Sequence, residues 1–108
     1  MRETIKIMAG AIVLAALLAG CTWVKPTPEG EKVVVLSAAE VKNCKRLGHT
    51  TVSVLSKVAG LDRHQEKVEK ELKTLARNTA AEIGGDAVVP EGEIKDGQQR
   101  FGVYRCRP

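Results

Sequence analysis

Hydrophobic residues occur in three patterns along the chain: one continuous run near the N-terminus, several short runs and one helical stripe. The short runs are rich in β-branched residues, which is typical of strands. They predict four strands, which are KVVVL from Lys32, HTTVSVLS from His49 to Ser56, Ala87 to Val89, and Arg100 to Cys106.

One long helix is predicted between the second and third strands. Its apolar stripe recurs at three- and four-residue steps and consists of Val68, Leu72, Leu75, Ala76, Thr79 and Ile83. Ala59-Gly60 predicts the turn that leads directly into the helix, and Gly84-Gly85 predicts its end, because glycine adopts the left-handed cap conformation at little cost.

The order strand, strand, helix, strand, strand indicates a small α+β domain. We expect a β-β-α-β-β domain with one helix packed on a mostly antiparallel sheet. In the last strand Phe101 and Val103 share one face, while Gly102 and Tyr104 share the other. The pattern leaves open which of these faces meets the helix.

The continuous run, Ile7 to Leu18, supplies only about a dozen apolar residues, whereas a membrane-spanning helix needs roughly 20. Positive residues precede it and small residues follow it, which is typical of a signal peptide. The run ends at LAGC, which resembles the lipobox of bacterial lipoproteins, where the cysteine thiol is acylated and the chain is cut before it. Residues 1–20 are therefore predicted to be a lipoprotein signal peptide, with lipidation at Cys21.

Acyl chains on Cys21 would hold the mature protein on a membrane, because two lipid signals suffice for stable anchoring. In the lipoproteins that this segment resembles, Asp after the cysteine commonly retains the protein in the inner membrane. Thr22 stands at that position, so we expect the periplasmic face of the outer membrane. Two prolines and a glycine in TWVKPTPEGE predict an extended tether up to Glu31. The predicted globular domain covers residues 32–108.

The charge balance narrows the range of partners. The whole chain has a net charge of +4 and only 3% aromatic residues. It contains no basic run interleaved with aromatic residues, which nucleic-acid binding would require. We therefore expect the membrane as one partner, through the acyl chains, and no nucleic acid.

Two further cysteines, Cys44 and Cys106, remain after lipidation of Cys21. In an oxidising periplasm such a pair indicates a disulfide. A redox-active pair and a metal site are the alternative interpretations, although redox motifs usually hold their cysteines two residues apart and metal sites need more ligands. A disulfide here would close a loop of about 60 residues, which corresponds to roughly 4 kcal/mol of stabilisation in the chain-entropy model.

Three segments carry a family resemblance, namely NCKRLG, ARNTAAEIGGDAVV and the closing YRC. In order and spacing they resemble the small YjeI-like lipoproteins of Gram-negative bacteria, a family of unassigned function. The layout is also similar to that of the sensor lipoprotein of the Rcs envelope-stress system, although that sensor has a longer proline-rich tether and a second disulfide. Both resemblances imply an envelope lipoprotein.

Enzyme chemistry finds little support in the sequence. Catalysis needs a nucleophile with a base in reach or a poised acid–base pair, and neither His49 nor His64 lies within a recognisable motif. We expect a protein without catalytic residues, metal or cofactor. In the predicted helix, Arg77 and Asn78 are candidate binding residues, although an asparagine beside an apolar stripe usually bonds a neighbouring strand or loop.

Two functions follow as hypotheses. The first is a non-enzymatic accessory or sensing domain that docks on another envelope protein, for which it needs an apolar or mixed surface patch. The alternative is a binding module for a small anionic envelope component. It would use a basic end formed by Arg100, Arg105 and Arg107.

Overall fold

The computed structural model describes residues 24–58 and 60–108. The predicted signal peptide and the lipidation at Cys21 lie outside the described residues. The regular elements are strands β1 (Val34–Val35), β2 (Lys45–Ser53), β3 (Lys57–Val58) and β4 (Leu61–Asp62), helix α1 (Gln65–Glu82), and strands β5 (Ala87–Lys95) and β6 (Gln98–Arg105). Two single 3₁₀ turns, Gly30–Lys32 and Ala38–Val41, flank β1.

Four of the strands form one mixed sheet in the order β1-β5-β6-β2. The short β1 pairs parallel to β5, while β5 with β6 and β6 with β2 pair antiparallel. The turn between β5 and β6 is Asp96-Gly97, a dipeptide typical of hairpin turns, where both residues have positive φ, 51° and 74°. The predicted α+β class with a mostly antiparallel sheet is therefore confirmed.

Helix α1 covers one face of this sheet. Its buried stripe contains a residue at every fourth position, Val68, Leu72, Ala76 and Ala80. The sheet contributes Phe101 and Val103 to the same core, both fully buried, together with Val33, Val52 and Val88. The face that carries Phe101 is thus the one that meets the helix, and the face that carries Tyr104 lies on the other side.

The predicted apolar stripe is wrong at its last position. Ile83 is 52% exposed, because the helix ends at Glu82 and the chain turns away through Gly84, which has a φ of 83°. The glycine pair therefore ends the helix as predicted, one residue earlier than the stripe implied. The backbone N–H of Gly85 bonds the carbonyl of Ala80, which closes the last turn.

Several strand boundaries also differ from the prediction. The first strand is only β1, because Lys32 belongs to a 3₁₀ turn. The second starts at Lys45 rather than His49, since β2 pairs with the whole length of β6 and absorbs a bulge between Arg46 and Gly48. The fourth is shifted to Gln98–Arg105.

The third strand runs on from Val89 to Lys95 through Pro90. β1 pairs with β5 only at Ala87 and Val88, so Pro90 lies beyond the part of that edge that β1 occupies. A proline has no N–H to offer, and an edge position tolerates this loss.

Of the predicted turn Ala59-Gly60, Ala59 lies outside the described residues, and Gly60 does not lead directly into the helix. Gly60 precedes β4, which forms a separate two-stranded hairpin with β3. The hairpin is held by Arg63, whose backbone N–H bonds the carbonyl of Ser56 and whose guanidinium bonds the carbonyl of Leu55. Helix α1 therefore begins only at Gln65.

Candidate functional site

The predicted disulfide is present between Cys44 and Cys106 and joins residues 62 positions apart. It connects the residue before β2 with the residue after β6. These two strands are hydrogen-bonded neighbours, with Lys45 opposite Arg105. The bond therefore closes the end of an antiparallel pair and fixes the last strand at its C-terminus.

Asp86 holds the same end of β6 from the other side. Its carboxylate accepts hydrogen bonds from the backbone N–H groups of Cys106, at 2.7 Å, and Arg107, at 2.8 Å. Burial tends to raise the pKa of Asp86, but the two backbone hydrogen bonds and the charges of Arg107 and Arg105 outweigh it and lower the pKa below its ordinary value. Asp86 is thus ionised, and both of its carboxylate oxygens accept hydrogen bonds from backbone N–H groups.

Arg77 and Asn78 fasten the N-terminal segment to the helix. The Arg77 guanidinium donates to the carbonyl of Val33, at 2.7 Å, and to that of Glu31, at 2.9 Å. The Asn78 amide donates to the carbonyl of Lys25, and its oxygen accepts the backbone N–H of Thr27. We call Arg77, Asn78 and these partners the clamp. Arg77 and Asn78, the two candidate binding residues, therefore use their side chains to hold the N-terminal segment.

The clamp corrects the predicted extended tether. Lys25 and Thr27 are bonded to Asn78 of the helix, and Gly30 is buried against Asn78, leaving no room for a Cβ atom there. The oxygen of the Asn78 side chain would contact such an atom. The last part of the predicted tether, up to Glu31, is therefore packed structure rather than extended chain.

The predicted basic end is divided by the fold. Arg105 and Arg107 line one cavity of about 280 Å³ beside the end of the helix, where Lys32 joins them. Arg100 lies elsewhere, because strand residues five positions apart point to opposite faces of a sheet. It belongs to the sheet face that the helix leaves uncovered.

That second face carries the densest group of interacting side chains on the described surface, the open-face cluster of Arg46, Glu91, Arg100 and Tyr104. Glu91 on β5 accepts hydrogen bonds from Arg46 on β2, at 3.2 and 3.3 Å, and from Arg100 on β6, at 3.3 Å. The guanidinium of Arg46 also donates to the Tyr104 hydroxyl at 2.9 Å and lies 5.5 Å from the centre of its ring. Three adjacent strands thus contribute to one polar network.

Gly102 makes room for this cluster. A Cβ atom at Gly102 would lie 2.7 Å from a guanidinium nitrogen of Arg46 and 3.0 Å from the Tyr104 ring. The glycine therefore lets the side chains of the open-face cluster lie flat on the backbone. His49, which is opposite Gly102 in the register of β2 and β6, borders the cluster.

The electrostatics of the cluster are those of a charge-paired surface. The hydrogen bonds from Arg46 are the largest cause that lowers the pKa of Glu91, and Arg100 adds to them against a smaller effect of burial. The hydrogen bond to Glu91 in turn raises the pKa of Arg46. Next to the cluster, a cavity of about 400 Å³ is lined by Glu91, Arg100 and polar side chains of the β5–β6 turn region.

Three residues of these surfaces were missed by sequence reasoning: Arg46, Glu91 and Lys32. The alternation of β6 placed Tyr104 on the face opposite Phe101 correctly. The partners of Tyr104 depend on the register of β2 and β5, which no local pattern reports. Within residues 24–58 and 60–108, no group of three or more His, Cys, Asp or Glu side chains is arranged to hold a metal ion.

A domain of unknown function, DUF4156, matches residues 24–106 of the chain. Because the match covers most of the sequence, the chain belongs to this family. No curated protein and no solved structure matches it. In the part of the chain that the structure describes, no helix combines the length and hydropathy needed to cross a bilayer.

Proposed function

We propose that this protein is a lipid-anchored lipoprotein of the periplasmic face of the outer membrane, whose domain docks on another envelope protein in an accessory or sensing role. The anchoring part rests on the signal-peptide pattern and on LAGC before Thr22. The resemblance to the YjeI-like lipoproteins supports the same assignment, and so does the disulfide, which suits an oxidising compartment.

The observation that carries the docking role is the open-face cluster. Arginine and tyrosine are enriched in protein interfaces and among the residues that contribute most to binding. Here Arg46 is already held over Tyr104 by its bonds to Glu91. Because these side chains are ordered before a partner arrives, less conformational entropy is lost on binding.

The same geometry argues for a non-enzymatic role. A general acid or base works best with a pKa near the working pH. The two arginines instead hold the pKa of Glu91 below its ordinary value, so that Glu91 is an ionised acceptor at neutral pH. The cluster is suited to pairing with charged and aromatic groups of a partner.

Site-specific photocrosslinking in intact cells tests the docking role. A photoreactive residue at Thr51, on the open face, should give a discrete crosslinked product with one envelope protein. Arg46→Ala combined with Tyr104→Ala should abolish that product. A photoreactive residue at Glu69, on the exposed side of α1, is the matched control and should give none. The same product from both positions would contradict docking through the open face.

The anchor is tested by fractionation. Cys21→Ser should leave the chain uncut or release it from the membrane fraction, and Thr22→Asp should shift the protein toward the inner membrane on a density gradient. Processing and sedimentation of Cys21→Ser like wild type would contradict the proposed lipidation. Wild-type protein that already bands with the inner membrane would contradict the proposed location.

A second candidate function, the binding of a small anionic component, is favoured by one observation. Arg105 and Arg107 line a single cavity, and Lys32 lines it with them. Arg100, which the sequence grouped with them, is paired with Glu91 on the other face of the sheet.

A further inference from the structure

The cavity beside the end of α1 contains cationic groups with unused hydrogen-bond donors. Among the described residues, the side chains of Lys32 and Arg107 have no hydrogen-bond or ion-pair partner. Arg105 uses only its Nε, which donates to the carbonyl of Gly84 at 3.1 Å. Both terminal nitrogens of its guanidinium remain available. Three cations thus surround a cavity of about 280 Å³.

The one side-chain carboxylate of the cavity accepts no hydrogen bond from the side chains of these cations. Asp86 directs its two oxygens to the backbone N–H groups of Cys106 and Arg107, not to a side chain. These hydrogen bonds fix the backbone at Arg107. The carboxylate therefore helps to position one wall of the cavity. Among the side chains of the lining, which also includes Pro108, the three cations outnumber this one carboxylate.

The donors suit a phosphate group. Guanidinium groups present several N–H donors in a fixed plane and bind phosphate oxygens in pairs, and a lysine ammonium adds a mobile point charge. Apart from Asp86, the rest of the lining has no charged side chain and consists of glycine and alanine at the helix end together with Val33 and Pro108. A compact anion can therefore approach all three cations at once.

The position of the cavity relative to the anchor indicates where such a phosphate would come from. The clamp fixes the chain from Lys25 onward, so only three residues separate Lys25 from Cys21. That stretch spans at most roughly 14 Å when fully extended. Ala81, which lines the cavity, follows Asn78 of the clamp by three residues, less than one helical turn.

We infer that this cavity binds the phosphate of an anionic phospholipid headgroup through Lys32, Arg105 and Arg107. The inference rests on the second candidate function and deepens it by naming the ligand class and by adding Lys32. It places the end of α1 against the membrane in which the protein is anchored. The open-face cluster, on the other side of the sheet, stays available for a protein partner.

The test is an NMR titration of the isotopically labelled full chain in uncharged detergent micelles. The probes are dihexanoyl-phosphatidylglycerol, dihexanoyl-phosphatidylcholine and inorganic phosphate. The amide signals of Gly84, Gly85 and Arg107 report binding. The inference expects saturable shifts with the anionic lipid at lower concentration than with phosphate, and no saturable shift with phosphatidylcholine.

Lys32→Gln with Arg107→Gln should weaken binding of the anionic lipid by about tenfold or more, because two charge-assisted interactions are lost. Neither side chain has a hydrogen-bond or ion-pair partner among residues 24–58 and 60–108, so the fold should be retained. Lys57→Gln with Lys70→Gln removes the same charge from the hairpin and the first half of α1, and should change binding by less than about twofold.

Two outcomes would overturn the inference in distinguishable ways. Binding of inorganic phosphate with no tighter binding of the lipid would remove the membrane as the source while leaving the second candidate function in place. Absence of binding by either anion would remove both. An equal loss of affinity in the double variant and its charge-matched control would also overturn it, since binding would then depend on net charge alone.

Discussion

The two ends of helix α1 are held in different ways. At the C-terminal end, Arg77 and Asn78 bond residues 44 and 53 positions away, and the disulfide at that end of β6 joins residues 62 positions apart. At the N-terminal end, the β3–β4 hairpin is held by Arg63, whose bonds to Leu55 and Glu71 each span eight positions. The side-chain hydrogen bonds at one end reach distant parts of the chain, whereas those of Arg63 at the other end reach only residues nearby in the sequence.

Because of this difference, we expect the sheet and the C-terminal end of α1 to open only on global unfolding. The β3–β4 hairpin should open locally while the rest of the domain stays folded. Local units with few long-range contacts open at a lower free energy than the core does. The hairpin is such a unit: Leu61 within it and Leu55, two residues before it, are 73% and 71% exposed. The two cavities and the open-face cluster lie outside this hairpin. The candidate functional surfaces are therefore carried by the sheet and by the cross-linked end of the helix.

Removing the disulfide from the C-terminal end should have the largest effect on the free energy of unfolding. Cys106→Ser and Cys44→Ser should each lower the free energy of unfolding by about 4 kcal/mol, the chain-entropy value for a loop of this length. The double variant should be little worse than either, because each single change already removes the same bond. Chemical denaturation of the three variants, and of wild type with and without reductant, measures this. Equal stability of reduced and oxidised wild type would contradict the prediction.

The clamp should have the next largest effect. Asn78→Ala removes the bonds to Lys25 and Thr27, and we expect a loss of about 1 to 2 kcal/mol in the free energy of unfolding. Amides of residues 25–33 should exchange with solvent faster at the same time. Asn43→Ala, at an exposed asparagine before β2, is the matched control and should leave both measurements unchanged. Equal effects of the two changes would show that the clamp does not hold the segment.

The parts of the fold that rest on local chemistry could be predicted from the sequence. The Ser-x-x-Glu spacing of Ser37 and Glu40 is typical of the capping box that they form, Asp96-Gly97 is a sequence typical of the hairpin turn that it forms, and the glycine pair ends the helix. Each of these depends on residues at most a few positions apart, whose preferences are intrinsic.

The candidate sites could be predicted only in part, because they depend on register and on chain path. Arg46 meets Glu91 across 45 positions, and a shift of one residue in β2 would send Arg46 to the other face. Lys32 reaches Arg105 and Arg107 because the clamp bends the predicted tether back onto the helix. The disulfide is the exception, since the cysteine count and the predicted oxidising compartment indicate a pair without any knowledge of the chain path.

The hairpin should respond locally when its ion pair is weakened. Arg63 and Glu71 are bonded at 2.7 and 2.9 Å, with side chains only 19% and 12% exposed. Glu71→Gln should speed amide exchange at Arg63, whose N–H bonds Ser56, while the midpoint of global unfolding changes little. Glu69→Gln, at an exposed position of the same helix, is the control and should change neither. A large fall in the global midpoint would show that the hairpin is not a separate unit.

The smallest expected effect is the loss of stability on acidification that Asp86 causes at the end of β6 closed by the disulfide. The pKa of Asp86 is lowered in the folded protein, so its contribution to stability is present above its ordinary pKa of 3.8 and is lost as the pH falls through the lower, folded value. Asp86→Asn should therefore reduce the free energy of unfolding at neutral pH, and the difference from wild type should shrink as the medium is acidified.

Urea unfolding at a series of pH values measures this response. Asp62→Asn, in the hairpin, is the matched control, because that carboxylate is exposed and accepts no hydrogen bond from the described residues; its difference from wild type should be small at every pH. Of these two positions, only Asp86 at the end that the disulfide closes should show an acid-labile contribution to stability. A difference for Asp86→Asn that stays constant into the acid range would show that the lost hydrogen bonds, and not the charge of the carboxylate, fix β6 at its C-terminus.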